Sequence, residues 1–240
     1  MTQTWGIVGL GWLGNQLSTE LKKQGHTVWG THRANFNFEA DSFPQTFCDV
    51  LFLNTPPLYR IMSAKAYADK IVVGADTKVI FISSTSVYGT NAGVLNEMTT
   101  PNPTTESGQW LVEVEQLLRN KFRSRLTVIR PGGLIGGERH PIYSLSKKTE
   151  VAGGNHKVNL IHRSDLISII ISAVNNQQIE VVNAVAPFHP RKDVYYKQWA
   201  EKLNLPVPKF TDLSTADREI RSDAVHLLHA DWVYPHLDSI

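Results

Sequence analysis

Trp5-Gly6-Ile7-Val8-Gly9-Leu10-Gly11-Trp12-Leu13-Gly14 opens onto Leu17 and Leu21 at helical spacing, and Gly25 follows. An apolar run ending in glycine and restarting as a leucine stripe predicts a strand over Trp5–Gly9, a tight turn and a helix that stops at Gly25. Thr27-Val28-Trp29-Gly30-Thr31 then supplies a second strand. On such a strand-to-helix corner, Gly9-x-Gly11-x-x-Gly14 lets the backbone present free amides and the positive helix end to a pyrophosphate. The three glycines alone are a weak signal, and their place between a strand and a helix makes it strong. Gly9, Gly11, Trp12, Leu13 and Gly14 are therefore expected to bind a dinucleotide.

Working outward, Val50-Leu51-Phe52-Leu53 and Val79-Ile80-Phe81-Ile82 are unbroken apolar runs, as strands covered on both faces require. Trp110, Leu111, Val114, Leu117, Leu118 and Phe122 line one face of a helix expected between Glu106 and Phe122. Leu126–Ile129 makes another strand, ended by Pro131-Gly132-Gly133. This alternation predicts an α/β, Rossmann-type doubly wound parallel sheet. Beyond Gly136 the pattern loosens into a Gly153-Gly154 turn, an apolar helix expected to be capped by Ser164, and a helix around Val194–Leu203. Residues 1–136 read as the dinucleotide-binding core, and 137–240 as a region that completes the core and forms a small substrate lobe.

The bulk properties narrow the partners. The chain has 240 residues, 42% of them hydrophobic, enough for one large domain. Its 24 basic and 22 acidic residues leave a net charge of +2 and form no basic run, so a small molecule rather than nucleic acid is expected. Lone Cys48 can form no internal disulfide, and no apolar stretch reaches membrane-spanning length. Without a charged leader at the start of the chain, the expected place is a reducing cytoplasm.

Strand ends carry the remaining candidates. After the second strand stands Thr31-His32-Arg33, with no carboxylate to hold ribose hydroxyls and with an arginine suited to a 2′-phosphate. NADP is thus the expected cofactor, with NAD as second choice. Asn54-Thr55-Pro56 and Ser83-Ser84 lie where strands should end, on the ligand side of an open sheet, as do Pro131 and Gly132. His226 and His229 could share a helical face, but no third ligand stands at metal-site spacing, so no metal is expected.

Together with the glycine turn, three further patterns, Ser83-Ser84-Thr85-Ser86-Val87-Tyr88-Gly89, Ile129-Arg130-Pro131-Gly132-Gly133-Leu134-Ile135-Gly136 and Leu160-Ile161-His162-Arg163-Ser164-Asp165-Leu166, make the chain resemble the extended short-chain dehydrogenases/reductases, the NAD-dependent epimerase/dehydratase type. The resemblance covers nearly the whole chain. It implies that family's fold and cofactor class, and it places His162 and Arg163 near the substrate lobe. It does not carry the acid/base pair across. The family's tyrosine and lysine, four residues apart on one helix, align without a gap on Ser107 and Leu111 of Pro103–Glu115. The family's site serine falls on Ser84, and by family position Tyr88, after the same strand, is the other nearest candidate. The stretch from Ala34 to Asp49 is also too short for the strand, helix and loop usual there. Two readings follow. One is an atypical reductase, epimerase or dehydratase with its proton relay on Ser84 and Tyr88; the other is a non-catalytic NADP(H)-binding sensor or regulatory protein.

Overall fold

Alternation along each strand decides which helix covers which face of the sheet. In the computed structural model, which describes residues 2–44, 46–176, 178–211, 217–229 and 231–238, the first half of the chain runs β1 (Thr4–Val8), α1 (Trp12–Lys23), β2 (Thr27–Thr31), β3 (Val50–Leu53), α2 (Ala64–Lys70), β4 (Lys78–Ile82), β5 (Gly93–Leu95) and α3 (Glu106–Phe122). The second half runs β6 (Leu126–Pro131), β7 (Gly133–Ile135), α4 (Ile142–Leu145), β8 (Glu150–Ala152), β9 (Leu160–His162), α5 (Arg163–Ala173), β10 (Val181–Ala184), α6 (Lys192–Lys202), β11 (Lys209–Thr211) and β12 (Arg218–Ile220). Trp5, Ile7, Val50, Phe52, Ile80 and Ile82 pack with the apolar stripes of α1 and α5. Their alternating partners Val8, Leu51, Leu53, Val79 and Phe81 pack with α2 and α3. With both faces covered, β1, β3 and β4 are buried along nearly their whole length, which is why β3 and β4 read as continuous apolar runs.

The main sheet has six strands in the order β10-β6-β4-β3-β1-β2, all parallel. This is the expected doubly wound sheet. β1 has β2 on one side and β3 on the other, so the strand order reverses there and opens a crevice above the carboxyl ends of β1 and β3. The sheet stops at β2, because residues 34–44 and 46–49 form turns and loop instead of a further strand and helix. Phe36, Phe38 and Phe43 fill the corner with edge-to-face contacts, and Lys70 donates to the Phe38 and Glu39 carbonyls to fasten the loop.

The second half contributes β10 and α5 to this core. A third cluster, Ile135, Ile142, Val158, Leu160, Tyr195, Tyr196, Trp199 and Ala200 among its members, forms the centre of a small lobe. Three details depart from the sequence reading. β1 ends at Val8, since Gly9 turns the chain with φ of 112°. β6 runs on through Arg130 and Pro131. α5 is capped by His162, not Ser164: the His162 Nδ1 accepts the Ser164 amide at 3.2 Å, so Ser164 is already inside the helix.

Candidate functional site

The three glycines of the turn differ in what surrounds them. A Cβ on Gly9 would lie 2.3 Å from the Asn54 carbonyl oxygen, and one on Gly14 would lie 2.3 Å from the Gly9 carbonyl oxygen. Those two are demanded by the turn and by close helix-to-strand packing. A Cβ on Gly11 would meet nothing within 4 Å. Its φ of −99° is one that any residue adopts, so the protein itself does not require glycine there. Gly11 is also the N-cap of α1 and offers no side-chain cap, which leaves the first helical amides without that partner. The side chain of Leu13 is buried in the core, whereas Trp12 is half-buried beneath two guanidiniums, Arg163 at 4.5 Å and Arg139 at 5.0 Å from its ring centre.

Asn54 closes the floor of the crevice. Its side-chain amide donates to the Gly9 carbonyl at 3.0 Å, and Thr55 exchanges a hydrogen bond with the Tyr67 hydroxyl at 3.2 Å. Pro56 follows, exposed. Arg33 stands exposed in the turn just past β2, with no carboxylate partner among the described residues.

On the far side of the sheet a buried polar network fixes the loop after β4. Glu115 takes the Arg130 guanidinium bidentately, at 2.6 and 3.1 Å, and accepts the Ser83 hydroxyl at 2.5 Å. Burial works against the Arg130 charge, and Glu115 more than restores it. Arg130 also donates to the Tyr88 hydroxyl at 3.0 Å, which lies 2.9 Å from both the Asn183 side-chain oxygen and the Asn96 carbonyl. Tyr88 is fully buried, and burial raises its pKa despite Arg130. The reading of Tyr88 as a proton donor to substrate therefore loses its geometric support: its hydroxyl is enclosed and its bonds are internal. Ser83 is likewise committed to Glu115 rather than to the crevice. Pro131 and Gly132 are buried at the end of β6, with the Gly132 amide bound to the Ala184 carbonyl at 3.0 Å.

Ser84 differs from Ser83. It is half-buried and its oxygen accepts the Ser86 amide at 3.1 Å, so its own proton remains available to donate. Across from it, α3 begins behind the Thr105 cap, with Ser107 3.1 Å from the Thr105 hydroxyl and Leu111 buried in the core.

A cleft of about 450 Å³ separates the loop after β4 from the lobe. Thr85, Gly89 and Gly133 line it from the core, and Lys157, Lys192 and Arg218 from the lobe, Lys192 donating to the Ala152 carbonyl at 2.8 Å and Arg218 reaching across to the Gly89 carbonyl at 2.7 Å. No carboxylate is among its described lining residues, and the nearby Asp217 side chain is held by the Lys157 amide at 2.8 Å. Burial lowers the pKa of both Lys192 and Arg218. His162 and Arg163 are not part of this cleft. His162 is buried, stacks on Tyr234 at 3.7 Å and caps α5, while Arg163 lies on Trp12. The cleft's cations were invisible to sequence reading because Lys157, Lys192 and Arg218 are scattered over about sixty residues with no common spacing. Among the described residues no three metal-ligating side chains gather; His229 instead binds Asp165 at 2.9 Å. Nor is any described helix long and apolar enough to cross a membrane.

No family model matches the sequence. Protein YeeZ of Escherichia coli (strain K12) is 32% identical in an alignment that covers 85% of each chain. Among solved structures, UDP-glucuronic acid 4-epimerase from Bacillus cereus, in complex with NAD, superimposes with a TM-score of 0.74 at 16% identity, over 95% of this chain and 90% of that one. The dTDP-4-dehydrorhamnose reductase of Bacillus anthracis, in complex with NADP, gives 0.72 at 14% identity over 95% and 93%. The chain therefore belongs to the family of YeeZ, and its fold is that of the extended short-chain dehydrogenases/reductases.

Proposed function

We propose that the protein binds a nicotinamide dinucleotide, NADP(H) in preference to NAD(H), along the crevice above β1 and β3, and acts with it on a small anionic molecule in the adjoining cleft. The observation that carries this reading is Gly11: its neighbours Gly9 and Gly14 are glycine for the fold's sake, whereas Gly11 leaves open space beside uncapped helical amides. A pyrophosphate is the group that needs such an approach. The residues present suit the cofactor's phosphates. The amides of Trp12 and Leu13 would meet the pyrophosphate, Arg33 the 2′-phosphate, and Asn54 and Thr55 the far side of the crevice. That fold neighbours were solved with NAD or NADP supports the same reading.

When bound, the dinucleotide supplies hydride transfer. The chain's own residues would orient the substrate: Lys157, Lys192 and Arg218 attract an anion, and Ser84 can donate a hydrogen bond to an oxygen beside Thr85. Proton transfer is where this chain departs from the family it resembles. Ser107 and Leu111 stand where tyrosine and lysine are expected, and Leu111 lies in the apolar core. A positioned acid or base contributes about 10² to 10⁴ in rate, so turnover should be slow. That same substitution favours a second reading, a dinucleotide-bound sensor. Single-turnover mixing of the NADPH-loaded protein with a panel of phosphorylated and carboxylated carbonyl compounds tests the first. Slow NADPH oxidation that falls further in Ser84→Ala is expected. Absence of oxidation with every compound, while NADPH stays bound, would transfer the case to the sensor.

A further inference from the structure

Two positive side chains brought onto one ring, beside the positive end of a helix, repel one another unless an anion joins them. Arg139 and Arg163 are in that position on Trp12, the first residue of α1. Neither has a carboxylate partner among the described residues. The nearest acid of α5 in sequence, Asp165, is fully buried and accepts from His229 and from the Val233 and Tyr234 amides. The chain is also shaped to bring the two together. Gly136 and Gly137 have φ of 133° and 59°, and a Cβ on Gly136 would lie 2.9 Å from the His162 Nε2 and 3.2 Å from the Arg163 Cβ, so the turn passes close against the start of α5. Reciprocal backbone bonds between Gly136 and Arg139, at 3.0 and 3.2 Å, then close the turn that delivers the second guanidinium.

We infer that Arg139 and Arg163, stacked on the Trp12 ring at the start of α1, form a guanidinium clamp for the pyrophosphate of the bound dinucleotide, beside the glycine turn. The inference rests on the dinucleotide reading and adds to it two residues that lie outside the glycine turn. Guanidiniums suit this task because each can bond two phosphate oxygens while its flat face remains on the indole. It also reassigns Arg163 from the substrate, where the sequence put it, to the cofactor.

The test is calorimetric titration of wild type, Arg139→Ala, Arg163→Ala and the double variant with NADPH, NADH, ADP-ribose and adenosine 2′,5′-bisphosphate. The last keeps the adenosine and 2′-phosphate but has no pyrophosphate. Each single variant should weaken the three pyrophosphate ligands by about tenfold or more, as loss of a charge-assisted contact implies. The NADPH-to-NADH preference and the bisphosphate affinity should stay as in wild type. If the double variant binds ADP-ribose as wild type does, or loses the bisphosphate equally, the clamp is wrong while the dinucleotide reading stands. A wild type that binds none of the pyrophosphate ligands would overturn both. Arg139→Gln with Arg163→Gln, matched to wild type in thermal midpoint, separates a lost contact from a lost fold.

Discussion

At the scale of single residues, spacing was legible and direction was not. Gly9, Gly11 and Gly14 announced the turn because only glycine tolerates a left-handed φ at the first and a 2.3 Å approach at the third. Tyr88 and Ser83 sit in an equally recognisable segment, yet nothing in Ser-Ser-Thr-Ser-Val-Tyr-Gly tells which hydroxyls turn inward. The deciding partners, Glu115, Arg130 and Asn183, come from three other elements. Arg33 is the residue whose role is most open to direct measurement. It is exposed, and among the described residues it has no ion pair to lose on substitution. Arg33→Ala should therefore leave stability unchanged and weaken NADPH by about tenfold, as a charge-assisted phosphate contact implies, with little effect on NADH. Paired titrations with the two cofactors check this, and equal weakening of both would reduce Arg33 to a general electrostatic role.

Among elements, the long ones declared themselves. α3 covers Glu106–Phe122 as its apolar face required, and β2 and β3 fall on their expected residues. The three-residue strands escaped notice, because each is made by a partner distant in sequence, as β8 by β11 and β5 by β12. Their packing carries a pH signature. His140, buried against Tyr195 and Trp199, accepts the Ile142 amide on Nδ1, so its Nε2 carries the proton and donates to the Tyr195 hydroxyl at 2.9 Å. Burial pushes its pKa from 6.5 down to about 4. The unfolded chain then takes up the proton first. Stability is unaffected by this group above the ordinary histidine pKa and falls as pH drops from there toward 4, by about 3 kcal/mol in all. Urea unfolding at neutral and acid pH should show that loss in wild type and a much shallower one in His140→Phe. Parallel curves for the two proteins would place the acid sensitivity elsewhere.

At the scale of the whole molecule, the doubly wound architecture followed from the alternation of apolar runs and stripes. The shortness of the stretch between Ala34 and Asp49 already said that one strand-helix unit was missing. The cationic cleft was hidden, because Lys157, Lys192 and Arg218 come to line one space only when the turn before β9, α6 and β12 close on the core. What unites these parts is the claim that a pyrophosphate occupies the space beside Gly11. Calorimetric titration of NADPH into wild type and Gly11→Asp, with thermal midpoints of both, tests it most directly. Position 11 is an N-cap with room for a side chain, and aspartate is a favoured cap, so the substitution should hold or slightly raise the melting point. The same carboxylate would meet the pyrophosphate with like charge, so NADPH binding should vanish. A stable Gly11→Asp protein that binds NADPH as wild type does would contradict the account.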